Sequence, residues 1–241
     1  MAITKTKETL KRKVVILLVE GKSDKTALNL IEKFYTSKNI KVYTTGGDIT
    51  SNFLITYNNC VKKLTEKIKE IRDDKKLDRN DIYEIIHLID TDGAFISDEF
   101  IEIDKSIKDF HYTLDFIKAN NKDKVIKRNN EKISKIKVLL ETTKIDRSIK
   151  YRLFFMSCNL DHVLFDEMNL KDEDKVPKAF EFRKKYQKDR EGFINFFNSK
   201  ECKAYGTYSE TWSFIKKEKN SLHRYNNLWI FLEELEKDNQ N

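Results

Sequence analysis

The chain has 241 residues, of which 39% are hydrophobic, 36% charged and 12% aromatic, and its formal net charge is +7. This length suits one large domain or a core with an appendage, and the aromatic content argues for a folded core. Three dispersed cysteines (Cys60, Cys158 and Cys202) without a CxxC pair argue against a zinc knuckle or a disulfide framework, and the longest apolar run, residues 14–19, is too short to cross a bilayer. The expected setting is the cytoplasm, without a membrane partner.

Strands and helices alternate in the predicted elements of the first ninety residues. Residues 14–19 are short, rich in β-branched side chains and bounded by charge, as expected of a buried parallel strand. Ser23 is a candidate N-cap for the helix that follows. The later elements are a strand at 41–45, a helix at 53–71 and a strand at 83–89. This β-α-β-α-β order predicts an α/β fold with a mostly parallel central sheet of about four strands and helices on both faces.

The rest of the chain is predicted to be mainly helical around one further strand. Residues 96–149 read as a helical insertion, and residues 118–152 contain twelve Lys or Arg against four Asp or Glu. The fourth strand is predicted at 151–156, and Asn159-Leu160-Asp161 opens a short helix. These patterns predict a domain over 13–165, with the insertion at about 96–149, and a helical C-terminal subdomain over 166–241.

Two of the predicted strands end in acids. The first is followed by Glu20, Gly21 and Asp24, and the third ends in Asp90-Thr91-Asp92-Gly93. A carboxylate at the end of an interior strand is partly removed from water, so it must be paired, protonated or bound to a cation. Two such strands side by side would gather several carboxylates at one edge of the sheet. The pattern predicts a divalent metal site of the kind that commonly acts on phosphates.

This combination resembles the Toprim domain, the catalytic module of type IA and type II topoisomerases, bacterial primases and several families of small nucleases. The resemblance rests on a strand ending Glu20-Gly21 with Asp24 three residues later, and on a second strand ending Asp-x-Asp-Gly at 90–93. It covers about residues 13–95 well and extends more weakly to about 165. It implies a Toprim-like catalytic domain over 13–165.

The resemblance implies roles for the strand-end residues. Glu20 matches a glutamate that acts as a general acid/base or associates with the metal, and Asp90 and Asp92 match the pair that holds Mg²⁺, or Mn²⁺ in its place. Alternate residues of an extended strand point the same way, so Asp90 and Asp92 are expected to face one ion. Gly21 and Gly93 are expected to let a phosphodiester backbone approach closely.

Two further acids have alternative interpretations. Asp24 is either a metal-site residue or a first-turn acid that interacts with the helix dipole. Asp161 lies in an Asn-Leu-Asp turn similar to an acid-bearing turn of stand-alone Toprim proteins, and it too is either a metal ligand or a dipole residue.

The basic segment predicts contact with a polyanion. Its candidate phosphate-binding residues are Lys124, Lys127, Arg128 and Lys132. The alternative is an ordinary solvated helix face.

Among Toprim activities, a nuclease is favoured by the resemblance. A topoisomerase needs a separate tyrosine-bearing cleavage domain, and a primase would be expected to carry a zinc module. The chain is most similar to stand-alone Toprim nuclease effectors of phage-defence, abortive-infection systems, which implies a toxic Mg²⁺-dependent endonuclease of DNA or RNA, with tRNA among the candidates. The resemblance also implies a separate partner ATPase or sensor chain, and a homo-oligomer is a further expectation. The alternative is a non-catalytic Toprim-like subunit that binds nucleic acid or regulates a larger complex.

Overall fold

The structure is a computed structural model that describes residues 13–37 and 39–240. The strands are β1 (Lys13–Val19), β2 (Ile40–Gly46), β3 (Ile82–Asp90), β4 (Ile101–Ile103), β5 (His111–Tyr112), β6 (Ile117–Ala119), β7 (Lys144–Ile145) and β8 (Ile149–Met156). The helices are α1 (Lys22–Tyr35), α2 (Cys60–Lys75), α3 (Lys122–Glu141), α4 (Leu160–Phe165), α5 (Asp172–Tyr186), α6 (Arg190–Phe197), α7 (Tyr208–Ile215) and α8 (Leu228–Gln240).

The central sheet is mostly parallel, which confirms the predicted α/β class. Its order within the described residues is β2-β1-β3-β8-β7, and the first four strands run parallel. The fifth strand, β7, pairs antiparallel with β8 at the edge. It has only two residues, too few for a periodic sequence pattern to predict it.

Helices cover both faces of this sheet. In β1, Val15, Leu17 and Val19 pack into a core with α1, α5, α6 and α8, whereas Ile16 and Leu18 pack into a second core with α2, α3 and α7. Successive side chains of a strand point to opposite faces, so a strand buried on both sides must be apolar throughout. This explains the unbroken apolar run from which the strand was predicted.

The predicted helix at 53–71 is shorter than expected, because α2 begins at Cys60. The side-chain oxygens of Asn52 and Asn59 accept hydrogen bonds from the backbone N–H groups of Leu54 and Thr56, at 2.9 and 2.8 Å. Such local bonds offer the backbone an alternative to the helix. Phe53, Leu54 and Tyr57 of this loop are therefore exposed to solvent, at 82%, 71% and 54%, whereas Ile55 packs into the core.

The sequence analysis predicted a helical insertion at 96–149, but this segment also contains strands. Its first part forms a small sheet in the order β4-β6-β5, and α3 follows it. The short strands are stabilised by a third core, in which Ile101 and Ile117 pack with Val125 of α3 and with Leu222. The β-branched residues at these positions favour strands, but the segments are too short for their alternation to be read from the sequence.

Residues 172–240 contribute α5 to α8, which pack on the sheet through aromatic side chains. Phe182 of α5 contacts Tyr186 and Phe196 with ring centroids 4.9 and 5.3 Å apart, and Phe193 of α6 meets Phe34 of α1 at 5.7 Å. No described helix combines the length and the apolar character that a membrane span requires.

The aromatic cluster gives a test of this packing. Phe182→Ala should lower the free energy of unfolding by about 3 kcal/mol or more, because it leaves a cavity among buried rings. Phe180→Ala on the same helix, where the side chain is 56% exposed, should change it by less than about 0.5 kcal/mol. Urea denaturation of the two variants measures the difference, and equal losses would contradict the packing of α5.

Candidate functional site

The strand-end acids gather at one edge of the central sheet. Glu20 follows β1, Asp90 is the last residue of β3, and Asp161 lies at the start of α4, just after β8. These three strands are parallel neighbours, so their carboxyl ends share an edge, where open α/β sheets bind ligands. All three side chains line a cavity of about 590 Å³ together with Asp24 and Asp92.

Asp24 is held at the start of α1. Its carboxylate accepts a hydrogen bond from the Gly21 N–H at 2.8 Å and one from the Ser23 hydroxyl at 3.1 Å. The helix therefore has Gly21 as its N-cap, not Ser23 as the sequence analysis expected. Asp24 acts as a capping acid at the first turn, in line with its alternative interpretation, and it also lines the cavity.

Asp92 reaches the cavity through a tight turn. The strand stops at Asp90, and Asp92 has a left-handed backbone with φ of +48°. Its N–H donates to the Cys158 carbonyl at 2.6 Å, and the Thr91 N–H donates to the Met156 carbonyl at 3.0 Å. Strand alternation therefore does not align Asp90 with Asp92, because the strand ends at Asp90 and Asp92 has a left-handed backbone. Both acids nevertheless line the same cavity.

A buried lysine of α3 neutralises one part of the site. The Lys132 side chain is only 1% exposed, and its ammonium donates to the Asp92 carboxylate and to the Ser51 hydroxyl, the latter at 2.8 Å. The same nitrogen lies 3.9 Å from Glu20 Oε1. Burial opposes the charge of Lys132, but Asp92 and Glu20 outweigh it and raise the pKa of the ammonium above its ordinary value.

The loop between β2 and α2 supplies hydroxyl groups to the same carboxylates. Thr50 donates a hydrogen bond to Glu20 Oε1. Ser51 Oγ lies 3.4 Å from Glu20 Oε2 and 3.4 Å from Asp92 Oδ2, so a single atom is within reach of both acids. Lys135 of α3 anchors the loop by donating to the Asn52 carbonyl at 3.1 Å.

Burial and crowding divide the acids into two classes. Burial, with the charge of Asp92 added, raises the pKa of Glu20 to about 7 in spite of Lys132. Burial and the charges of Glu20 and Asp24 raise the pKa of Asp90 well above its ordinary value. Burial acts on Asp92 too, but the charges of Lys132 and Arg128 hold its pKa below the ordinary value. The site therefore contains protonatable acids next to one carboxylate that stays ionised.

Asp161 carries a buried oxygen without a partner. The residue is 6% exposed, and its Oδ1 has no hydrogen-bond partner. Burial raises the pKa of Asp161 to about 6, while the nearby charge of Lys175 on α5 opposes the shift. A buried polar atom without a partner is costly, and the side chain that carries it lines the acid cavity.

The donor atoms fit a hard divalent cation by type, because Mg²⁺ prefers carboxylate oxygens. Their arrangement is less complete. Among residues 13–37 and 39–240, no three His, Cys, Asp or Glu side chains are arranged to hold an ion as they stand. Two of the expected ligands, Glu20 and Asp92, are instead engaged by Lys132.

The two glycines differ in their surroundings. A Cβ atom on Gly21 would lie no closer than 3.6 Å to any neighbour, so this position stays open on the cavity side. Gly93 has φ of +63°, and a Cβ there would lie 2.5 Å from Leu222 Cδ2. A glycine is therefore required at 93 by its backbone conformation and by packing against the protein's own core.

The predicted phosphate-binding residues separate into two groups. Lys124 and Lys127 are exposed and line a second cavity of about 230 Å³, which Thr50 and Ser51 border as well. The Arg128 guanidinium donates to the Tyr112 hydroxyl at 2.8 Å and lies over the Phe110 ring. Lys132 was expected on the exposed face of the helix, but its ammonium is buried in the acid site.

Several site residues were missed by the sequence analysis, namely Thr50, Ser51 and Lys175, and the position of Lys132 was misread. The burial of Lys132 could have been predicted from the helical spacing of the buried residues around it. The buried stripe of α3 runs through Val125, Asn129, Lys132, Ile136 and Leu139. A lysine in such a stripe needs a buried hydrogen-bond acceptor, which is an acid for Lys132 and the Asn52 carbonyl for Lys135. The two hydroxyl residues carried no such signal, because they lie in an irregular loop.

Asp90→Asn and Asp92→Asn should change stability in opposite directions. At pH 8 without metal, Asp90→Asn should raise the free energy of unfolding, because a carboxyl whose pKa is raised on folding opposes folding at a pH where the unfolded chain has ionised it. The gain is about 1.4 kcal/mol for every tenfold difference in proton affinity between the folded and the unfolded chain. Asp92→Asn should lower the free energy of unfolding by about 3 kcal/mol, because it leaves the buried Lys132 ammonium without its ionic partner.

The pH dependence provides the control. The folded state keeps the Asp90 proton above pH 3.8, the ordinary value, where the unfolded chain has lost it. The gain from Asp90→Asn should therefore shrink as pH falls from 8 towards about 4, where both states bind the proton. Chemical denaturation at several pH values in EDTA measures both effects. A destabilised Asp90→Asn variant at pH 8 would contradict the assignment of Asp90 as a crowded acid.

No protein-family model, curated protein or solved structure matches this chain. The α/β fold with a mostly parallel sheet is shown by the strand order and pairing. The resemblance to Toprim domains stays a prediction from the two strand-end motifs, Glu20-Gly21 and residues 90–93.

Proposed function

We propose that this chain is a Toprim-type nuclease that hydrolyses phosphodiester bonds with the help of Mg²⁺ or Mn²⁺. One observation carries the proposal: carboxylates from the ends of the adjacent parallel strands β1 and β3 line one cavity. Acids in this position are costly unless a cation or a proton compensates them. A cavity that concentrates them suits a metal and the phosphate that the metal would bind.

Different residues of the site would bind the cation, transfer the proton and leave space for the substrate. Asp90, Asp24 and Asp161 line the cavity and would hold the cation through their carboxylate groups. When bound, the cation would stabilise negative charge on the phosphate oxygens. Glu20, whose pKa of about 7 lets it hold or release a proton near neutral pH, serves as the general acid/base. Gly21 lines the same cavity and leaves space for the substrate backbone.

The nucleic-acid surface is proposed on the exposed side of α3. Lys124, Lys127 and Arg128 line the second cavity, and Thr50 and Ser51 connect it with the acid cavity through their contacts to Glu20. A phosphodiester chain lying along these residues would place one of its phosphates near the acids. Phosphate contacts of this kind position a nucleic acid without reading its bases.

The biological role we propose is that of a toxic effector in a phage-defence system of the abortive-infection type. The substrate is DNA or RNA, with tRNA included among the candidates. A separate ATPase or sensor chain would restrain or trigger the nuclease, and a homo-oligomer is part of the same proposal. Its support is the similarity of the strand-end motifs at 20–24 and 90–93 to those of stand-alone Toprim effectors.

A second candidate is a non-catalytic subunit that binds nucleic acid. It is favoured by the ion pair between Lys132 and Asp92, which neutralises part of the acid site without any metal. It is also favoured by the lack, among the described residues, of a ready arrangement of three metal ligands. In this case the acids would be structural, and α3 would carry the function.

Cleavage assays distinguish the two candidates. The purified chain, with its trigger or partner where one is required, should cut plasmid DNA or total RNA with Mg²⁺ and not with EDTA. Asp90→Asn should abolish cleavage, and Glu20→Gln should slow it by about 10² to 10⁴-fold through loss of acid/base help. Asp74→Asn, an exposed acid at the far end of α2, is the matched control and should cut normally. Full cleavage activity of the Asp90→Asn variant would refute the proposal that this chain is a metal-dependent nuclease.

Salt dependence tests the surface on α3. Replacing both Lys124 and Lys127 with Ala should reduce the slope of log affinity against log salt by about 0.9 for each lost duplex contact, or about 0.7 for single strands. The control removes the same charge elsewhere by replacing Lys137 and Lys144, which are exposed and lie outside the second cavity. Filter binding at several salt concentrations gives the slopes. Equal slopes for the two double variants would support the alternative, in which this segment is an ordinary solvated helix face.

A further inference from the structure

The loop between β2 and α2 exposes large apolar side chains although its backbone is held in place. Phe53 is 82% exposed and Leu54 is 71% exposed. The next residue, Ile55, is buried in a core of the central sheet, and Lys135 of α3 donates to the Asn52 carbonyl at 3.1 Å. A group of exposed apolar side chains on an anchored backbone is typical of an interaction surface.

Phe53 lies beside exposed cations. It lines the second cavity, of about 230 Å³, together with Lys124, Lys127 and Arg128 of α3, and Glu131 is the only acid among the described residues of this lining. Both lysines are exposed. Lysine is depleted in the cores of protein–protein interfaces, so this lining does not resemble one. An aromatic ring beside cationic groups instead matches a nucleotide, which offers a base for the ring and a phosphate for the cations.

The same loop connects Phe53 with the acid cavity. Ser51 Oγ lies 3.4 Å from Glu20 Oε2 and 3.4 Å from Asp92 Oδ2. Phe53 follows two residues later, and two residues of extended chain span at most about 7 Å. A base on the Phe53 ring would therefore belong to a nucleotide close to the phosphate that the acids receive.

We propose that Phe53 is a base-stacking residue, so that this chain prefers single-stranded or looped nucleic acid to a continuous duplex. The inference rests on the proposed function, because it names the substrate class of the nucleic-acid surface on α3. It gives Phe53 a role in substrate selection and leaves the chemistry to the acids.

The structure of nucleic acids explains why one ring could make this selection. In a duplex, each base is stacked between its neighbours, and a side chain outside the helix reaches only base edges in the grooves. An unpaired base can turn its face onto an aromatic side chain. Lys124 and Lys127 would contact the phosphates of either form, whereas Phe53 adds affinity only for the unpaired form.

Binding of the full chain in EDTA tests the preference without cleavage. The probe is a fluorescent thymidine strand of about 20 nucleotides, longer than common site sizes, alone or annealed to its complement. In fluorescence anisotropy, Phe53→Ala should weaken binding of the single strand by about 5- to 150-fold, the range observed when one stacking ring is removed. It should change binding of the duplex by less than about twofold, because duplex bases do not reach the ring.

Substitutions at two neighbouring positions separate stacking from a general apolar contact. Phe53→Trp keeps an aromatic face and should bind the strand at least as tightly as the wild-type chain. Phe53→Leu keeps an apolar side chain without a ring and should lose as much affinity as Phe53→Ala. Leu54→Ala is the matched control, because Leu54 is exposed on the same loop but lies outside the second cavity, and this variant should bind normally.

The positions of these residues keep the test independent of folding. Both side chains are mostly exposed, so the variants should melt within about 2 °C of the wild-type chain. Ultraviolet crosslinking of the thymidine strand gives a second readout. The crosslinked nucleotide should be found on Phe53 by mass spectrometry, and crosslinks confined to residues outside the second cavity would contradict the inference.

The outcomes separate this inference from the proposed function. Unchanged strand binding by Phe53→Ala, equal losses for strand and duplex, or wild-type strand binding by Phe53→Leu would overturn stacking and leave the nuclease in place. If strand binding is unchanged while Phe53→Ala and Leu54→Ala both lose binding to phosphatidylglycerol vesicles, the loop is a lipid-binding surface and the inference is wrong. If the wild-type chain binds neither strand nor duplex, the nucleic-acid surface on α3 fails as well.

Discussion

Five carboxylates at one edge of a sheet must be compensated before the fold can be stable, and the Lys132 ammonium is the main compensation that the chain itself provides. It is buried, it is bonded to Asp92, and it lies within 4 Å of Glu20. Because a buried lysine without a partner is equally unfavourable, the acid-bearing turn and helix α3 stabilise each other. Lys132 and Lys135 also join α3 to the loop before α2, through Ser51 and the Asn52 carbonyl.

The same helix has a second, outward side. Lys124 and Lys127 lie one to two turns before Lys132, so a single rigid element carries both the buried charge and the exposed ones. A helix rises about 1.5 Å per residue, which fixes the spacing between these charges. A polyanion bound to the outer lysines would therefore be held at a defined distance from the acids, without any contact that depends on its sequence.

The sequence predicted the elements whose side chains repeat regularly. The continuous apolar runs of β1 and β3 identified buried parallel strands, and the acids that follow them identified the edge at which Glu20 and Asp90 meet. Where irregular backbone decides the structure, prediction failed. The asparagine turns before α2, the left-handed residue Asp92 and the two-residue strand β7 depend on single hydrogen bonds and not on a period. Lys132 was predicted to be exposed because of its charge, although its position in the helix places it among the buried residues of α3.

The turn that carries Asp92, and the segment beside it, are held by hydrogen bonds to a distant part of the chain. The Thr91 hydroxyl and the Cys158 N–H both donate to the Ser221 carbonyl, and the Ser157 N–H donates to the carbonyl of Tyr225. A fragment that ended near residue 165 would keep every candidate acid and still leave these three donors without their acceptors, at a cost of about 1–3 kcal/mol for each buried donor. The acid-bearing part and the helical C-terminal part are thus joined by hydrogen bonds that neither part can make alone, so removing either part would destabilise the other.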